Sequence, residues 1–284
     1  MGGLALLLAG CGSTPVTTTG PTPVPATLNG NWLLTGSLPF ADPLGSGPPN
    51  STFGLAMTFA VQGNQLVAAD TVNMLCGAFV SSGSGGVVTG TIASDGSFTA
   101  QTAAGTPLTL STLQIKGTVP AAGATSWPGT YSFTTTNPSC PFTMTGLFTA
   151  VRIADVTGTY NGSTTLNPST GATFTTPQPV TVSFTLQQGA VLTGSSQIDP
   201  EVLTGAVQVK GSSCFSSGTA SSIAPGGVLG NEFITIFTMD DGSTVNLLAD
   251  VENAQSTKAS IRNLSGGGGK CGFFFTGPFE IVRQ

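Results

Sequence analysis

The sequence predicts an all-β protein in two tandem domains, on three observations. Charged residues are only 7% of the 284-residue chain, against 40 Gly and 19 Pro. Long helices need Glu, Lys and Arg in bulk, and these are missing. Thr, Val, Phe and Gly instead fall in short runs broken by turn residues, the pattern of strands. Finally, one stretch occurs twice: Cys140-Pro-Phe-Thr-Met-Thr-Gly-Leu-Phe-Thr-Ala-Val-Arg152 aligns without a gap on Cys271-Gly-Phe-Phe-Phe-Thr-Gly-Pro-Phe-Glu-Ile-Val-Arg283. Cys, Phe, Thr, Gly, Phe, Val and Arg recur at the same offsets. Such a register marks a duplication in which each copy closes with the same strand.

The chain begins with an apolar run, Leu4-Ala-Leu-Leu-Leu-Ala-Gly-Cys11. Its box, Leu8-Ala9-Gly10-Cys11, resembles the bacterial lipoprotein signal. That resemblance implies cleavage before Cys11, lipidation of its side chain and a membrane as partner. With Gly12 after the cysteine, it also implies delivery to the outer membrane of a two-membrane host. The soluble part would then sit in the periplasm or at the cell surface. Met1-Gly2-Gly3 lacks the basic residues of a signal n-region, so the expected start lies upstream. Residues 1–11 are the address, and residues 12–27, rich in Pro and Thr, form a tether. At about 3.1 Å per residue where extended, sixteen residues reach roughly 50 Å.

The two copies are read as residues 28–153 and 154–284. Copy one opens with Gly30-Asn31-Trp32 and copy two with Gly158-Thr159-Tyr160. Alternating strands follow in phase, Leu55 to Val61 and Val180 to Leu186, each turning at a Gln/Gly cluster into a return strand, Leu66-Val-Ala or Val191-Leu-Thr. The middle of each copy carries an Asp-Gly-Ser hairpin, Asp95-Gly96-Ser97 and Asp241-Gly242-Ser243, where Gly accepts a positive φ. Leu108-Thr-Leu110 and Leu113-Gln-Ile115 are on opposite phases, which predicts a β-bulge near Ser111-Thr112. Trp127-Pro-Gly-Thr-Tyr131-Ser-Phe133 leads into the closing strand. About eight strand-like segments fill copy one. Only Ile153, Ala154 and Asp155 separate the copies, so the domains must lie close together.

A Gly-x-Trp in the first strand with an Arg in the last resembles the calycin group: lipocalins, fatty-acid-binding proteins and avidin-like proteins. Here it reads Gly30, Trp32 and Arg152, then Gly158, Tyr160 and Arg283. The resemblance implies two antiparallel eight-stranded up-and-down β-barrels, each closed at one end by an Arg across an aromatic ring. The alternative is a pair of β-sandwiches whose terminal Arg is solvated.

Several chemistries lack their residues. There is no His, the commonest general base and metal ligand. The net charge is −5 and the seven basic residues are dispersed, which argues against nucleic acid. Besides Cys11, two cysteines fall in each copy. In an oxidising compartment disulfides are the default, and the duplication selects Cys76–Cys140 and Cys214–Cys271. Zinc is the rival, but no Cys-x-x-Cys or His accompanies them. Ser265-Gly-Gly-Gly-Gly-Lys270 lacks the Ser/Thr of a phosphate loop and precedes a strand. Asp240-Asp241-Gly242 reads as a turn rather than a calcium loop. No nucleophile has a base nearby and no carboxylate pair stands out, so neither enzyme activity nor a cofactor is expected. Two functions stay open. One is a lipid-anchored envelope protein binding a small apolar ligand or a glycan in a barrel mouth. The other is a surface spacer or adhesion module whose barrels are filled by their own side chains.

Overall fold

The computed structural model describes residues 26–37, 52–63, 65–72, 86–102, 111–135, 142–189, 192–193, 198–199, 203–220, 227–251 and 256–284. Cys11, Cys76, Cys140 and most of the tether lie outside the described residues, so the lipidation site and the Cys76–Cys140 pairing fall there too.

The first copy is a closed barrel. Its strands are β1 (Gly30–Ser37), β2 (Thr52–Gln62), β3 (Gln65–Val72), β4 (Gly86–Ile92), β5 (Ser97–Thr102), β6 (Ser111–Thr118), β7 (Ser126–Thr135) and β8 (Phe142–Arg152). Each is antiparallel to the next, and β8 returns to β1 with Trp32 opposite Arg152 and Gly36 opposite Phe148. Closure removes both sheet edges, and a sandwich is thereby ruled out. At the end where β1 starts, the connections are short: Gln62 pairs with Gln65 across a two-residue turn, and Asp95-Gly96-Ser97 turns β4 into β5. At the other end β1, β3, β5 and β7 finish and β2, β4, β6 and β8 begin.

The second copy has the same eight positions with interruptions. Its strands are β9 (Gly158–Pro168), β10 (Gln178–Gln188), β11 (Leu192–Thr193), β12 (Ile198–Asp199), β13 (Leu203–Lys210), β14 (Ser217–Ala220), β15 (Gly227–Leu229), β16 (Glu232–Met239), β17 (Thr244–Val251), β18 (Lys258–Gly267), β19 (Phe274–Phe275) and β20 (Phe279–Arg283). The ring runs β9, β10, β13, β14, β16, β17, β18, β20 and back to β9. The closing strand that is continuous in β8 is split here into β19 and β20. Both pieces pair with β18 and β9. The break falls at Thr276-Gly277-Pro278, where Pro278 replaces Leu147 of the repeat and has no N–H for a ladder.

Two expectations need correction. The return strand after β10 is Leu203–Lys210, not the Val191-Leu-Thr run: Gln188 pairs with Leu203, and among the described residues Leu192–Thr193 pairs only with Ile198–Asp199. Both Asp-Gly-Ser segments form the expected hairpin turns, one joining the fourth and fifth barrel positions and the other the fifth and sixth, at opposite barrel ends. The β6–β7 ladder passes through Ser111 and Thr112 without a shift. A bulge occurs instead between β17 and β18, where Leu248 faces Asn263 and Ala249 faces Ile261, leaving Arg262 as the extra residue.

The barrels touch, as the short junction requires. Ile153 of the junction and Val156 just after it are buried in the second barrel's core. The β15–β16 hairpin turns at Gly230 and lies on the outer wall of β2 and β3. Gly230 N–H donates to Thr58 Oγ1 at 3.2 Å, and the Thr58 hydroxyl donates to Asn31 Oδ1 at 2.5 Å. Thr58 and Asn31 point outward from their own barrel yet are buried. Gly230 has φ +57, and a Cβ there would come 2.5 Å from Ala56. Only glycine permits both the turn and this approach.

Candidate functional site

The closed end of each barrel is built from its first and last strands. In the first, Arg152 Cζ lies 5.3 Å from the centre of the Trp32 ring, and Trp32 is wholly buried. The guanidinium donates to Thr27 O at 3.3 Å and Asn29 O at 3.1 Å, while Trp32 Nε1 donates to Leu28 O at 2.8 Å. These acceptors belong to a 3-10 turn, Ala26–Leu28, and the residue after it, so the end of the tether forms part of the seal. In the second, Arg283 Cζ is 5.9 Å from the Tyr160 ring, and its nitrogens donate to Asp155 O and Thr157 O. Burial raises the Tyr160 phenol above its ordinary value, Arg283 opposing. Gly30 (φ +110) and Gly158 (φ +152) leave room for the arginines: a Cβ at 158 would sit 2.7 Å from Arg283 Nε.

All six predicted closure residues are thus brought together, three per barrel. The cation–π contact and the buried stem set the effect of truncation. Arg152→Ala should lower stability by about 1–3 kcal/mol, read as a shifted urea midpoint and altered Trp32 emission in a Trp127→Phe background. A shift under about 0.5 kcal/mol would mean the arginine seals nothing.

Cys214 and Cys271 form the expected disulfide, Cα atoms 5.5 Å apart, at the end of the second barrel opposite Tyr160. Phe215, next to Cys214, and Phe274, three residues after Cys271, pack with ring centres 5.3 Å apart. The Gly-rich run is a strand end and turn whose Lys270 N–H donates to Asp241 Oδ2 at 2.8 Å. Asp241 also accepts from Ser243, and Asp240 accepts from Ser216 and Ser217. Both carboxylates serve turns. Among the described residues no three His, Cys, Asp or Glu side chains are placed to hold a metal ion.

The interior of the first barrel is organised by Trp127, which the sequence marks only as a lead into the closing strand. Trp32, Phe59, Phe98 and Phe148 surround it edge-on, with ring centres 6.0, 6.1, 5.5 and 5.2 Å away. Its indole N–H meets no hydrogen-bond acceptor among the described residues. Further along, Leu34, Leu55, Tyr131, Phe133 and Met144 fill the same barrel. The second interior holds Phe184, Phe233, Phe237 and Phe274, all but fully buried.

The second barrel also carries a half-buried ion cluster on its outer wall. Arg262 Nε is 2.7 Å from Asp250 and Nη2 is 3.1 Å from Glu232. The bulge that makes Arg262 extra also places it between these acids, so spacing in sequence gives no sign of the cluster. Burial lifts the Asp250 carboxyl from its ordinary 3.8 to about 6, Arg262 pulling down and Glu232 pushing up. The folded state thus holds this proton more tightly than the unfolded chain. The resulting stability is full below the unfolded value and is lost as pH rises through about 6. Lowering the pH from 7 to 5 should therefore stabilise the fold by about 1 kcal/mol, and Asp250→Asn should flatten that slope. Urea midpoints at the two pH values test it; an equal slope in the variant would contradict it. Asp95 and Asp240, held below the usual carboxylate range by hydrogen bonds from Ser97 and Ser216, act only at lower pH.

No family model, no curated protein and no solved structure matches the chain.

Proposed function

We propose that the chain is a non-enzymatic, lipid-anchored protein of the cell envelope, whose two filled barrels serve as a rigid surface spacer or adhesion module. The observation that carries this reading is the packing of the first barrel around Trp127, with four aromatic rings within 6.1 Å of it. Ligand sites in such folds are concave apolar spaces of hundreds of Å³, and inward side chains occupy that space here. The polar contact between Thr58, Asn31 and Gly230 supports rigidity, since a buried network holds only in one arrangement. The Leu8–Cys11 box supports the anchor, with the outer membrane as destination. More than one acyl chain would be needed for stable attachment.

Arg152 over Trp32 and Arg283 over Tyr160 support kinship with the calycin group. Kinship of that kind keeps a second reading open, a small apolar or glycan ligand at a barrel mouth. What favours the first barrel for it is that its eight strands close into one ring without a break.

The anchor is tested by expressing the chain with a complete lipoprotein signal supplied ahead of the Leu8–Cys11 box. The product should partition with membranes, and Cys11→Ser should release it to the soluble fraction. Identical partitioning of the two would remove lipidation from the account.

A further inference from the structure

We propose that the outer wall of the first barrel, where β6, β7 and β8 run side by side, is a binding site for an acidic sugar, a pyranose ring bearing a carboxylate. A groove of about 350 Å³ lies there. The register arranges its outward side chains in two rows across the strands. Lys116 faces Thr130, which faces Leu147; Gln114 faces Ser132, which faces Thr145. Strands stand about 4.8 Å apart and side chains on one face repeat about every 6.8 Å. The rows thus frame a patch of roughly 10 by 7 Å, the footprint of one or two sugar rings.

The chemistry of the rows suits that ligand. Gln114, Thr130, Ser132 and Thr145 offer hydroxyl and amide groups that both donate and accept, as sugar hydroxyls require. Leu147, 72% exposed, gives an apolar contact for the C–H face of a ring. Lys116 supplies the charge. Between Leu28 and Ile153 the only basic residues are Lys116 and Arg152, and Arg152 is committed to Trp32 and the backbone of the closed end. Lys116 has no ion pair among the described residues. In the second barrel, Lys258 pairs with Glu280 and Arg262 with Glu232 and Asp250. The site lies on the wall rather than in a barrel mouth, and it stands whether or not the chain is lipid-anchored.

The test is a methyl NMR titration of the full chain with trigalacturonate, with maltotriose as the neutral sugar and sodium acetate as the bare carboxylate. Trigalacturonate should saturate with a Kd on the order of 1 mM, moving the methyls of Leu147, Thr130 and Thr145. Maltotriose should bind about three- to fivefold more weakly, the worth of one exposed charge pair. Lys116→Gln, a surface change, should bring the two sugars to equal affinity. The proposal is overturned by a titration that does not saturate or by equal affinity of the wild type for both sugars. It is also overturned by acetate reproducing the shifts, or by shifts centred on the far barrel end.

Discussion

Trp127→Ala should cost about 3–5 kcal/mol of folding stability, the range for emptying a large aromatic from a packed core. The side chain is 3% exposed and four rings pack edge-on against it, so its removal loses both buried area and ring–ring contact. The neighbours cannot collapse onto the gap easily, since each is fixed on a separate strand of a closed ladder. Trp127→Phe keeps most of the volume and should cost clearly less. Urea unfolding of the two variants, followed by far-ultraviolet circular dichroism, measures the difference. A loss below about 1 kcal/mol for the alanine variant would describe a loosely packed interior.

Cys214→Ala should destabilise the second barrel by about 4 kcal/mol, because the disulfide closes a 57-residue loop and the chain-entropy model scales with its length. The loop spans β14 to β18, four of the eight barrel positions. Both tryptophans belong to the first copy, so their emission should follow a transition little changed by the substitution. Circular dichroism should show a second, earlier transition. If the two signals move together, the contact through Gly230 and Thr58 couples the barrels into one unfolding unit.

Much of this arrangement is legible in the sequence, for physical reasons. The all-β class follows from what is missing, charged helix formers, and from period-two alternation in runs such as Leu55 to Val61. The seals are legible because Gly, an aromatic and an Arg recur at both ends of both copies, and each has one geometric use. Cys214–Cys271 follows from duplication alone. Other features depend on register, which local pattern does not determine. Val191-Leu-Thr and Leu203–Lys210 both look like strands, and the longer, more regular alternation of the second decides which pairs with β10. Asp241-Gly242-Ser243 forms the same turn as Asp95-Gly96-Ser97, but one strand further on. Glu232, Asp250 and Arg262 meet only because of a bulge. Thr58 and Asn31 read as solvent-facing positions until the second barrel covers them. Trp127, one of two tryptophans in a chain rich in Phe, was the signal most open to a reading as the hub of a core.

The central claim, that the barrels are filled, is tested most directly by titrating the Trp32→Phe variant with a fluorescent apolar probe such as 1-aminoanthracene while watching Trp127 emission. A filled interior predicts no saturable energy transfer from Trp127 and no probe enhancement. Saturable one-to-one transfer, displaced by an unlabelled fatty acid, would contradict the account and make the first barrel a ligand-binding calyx.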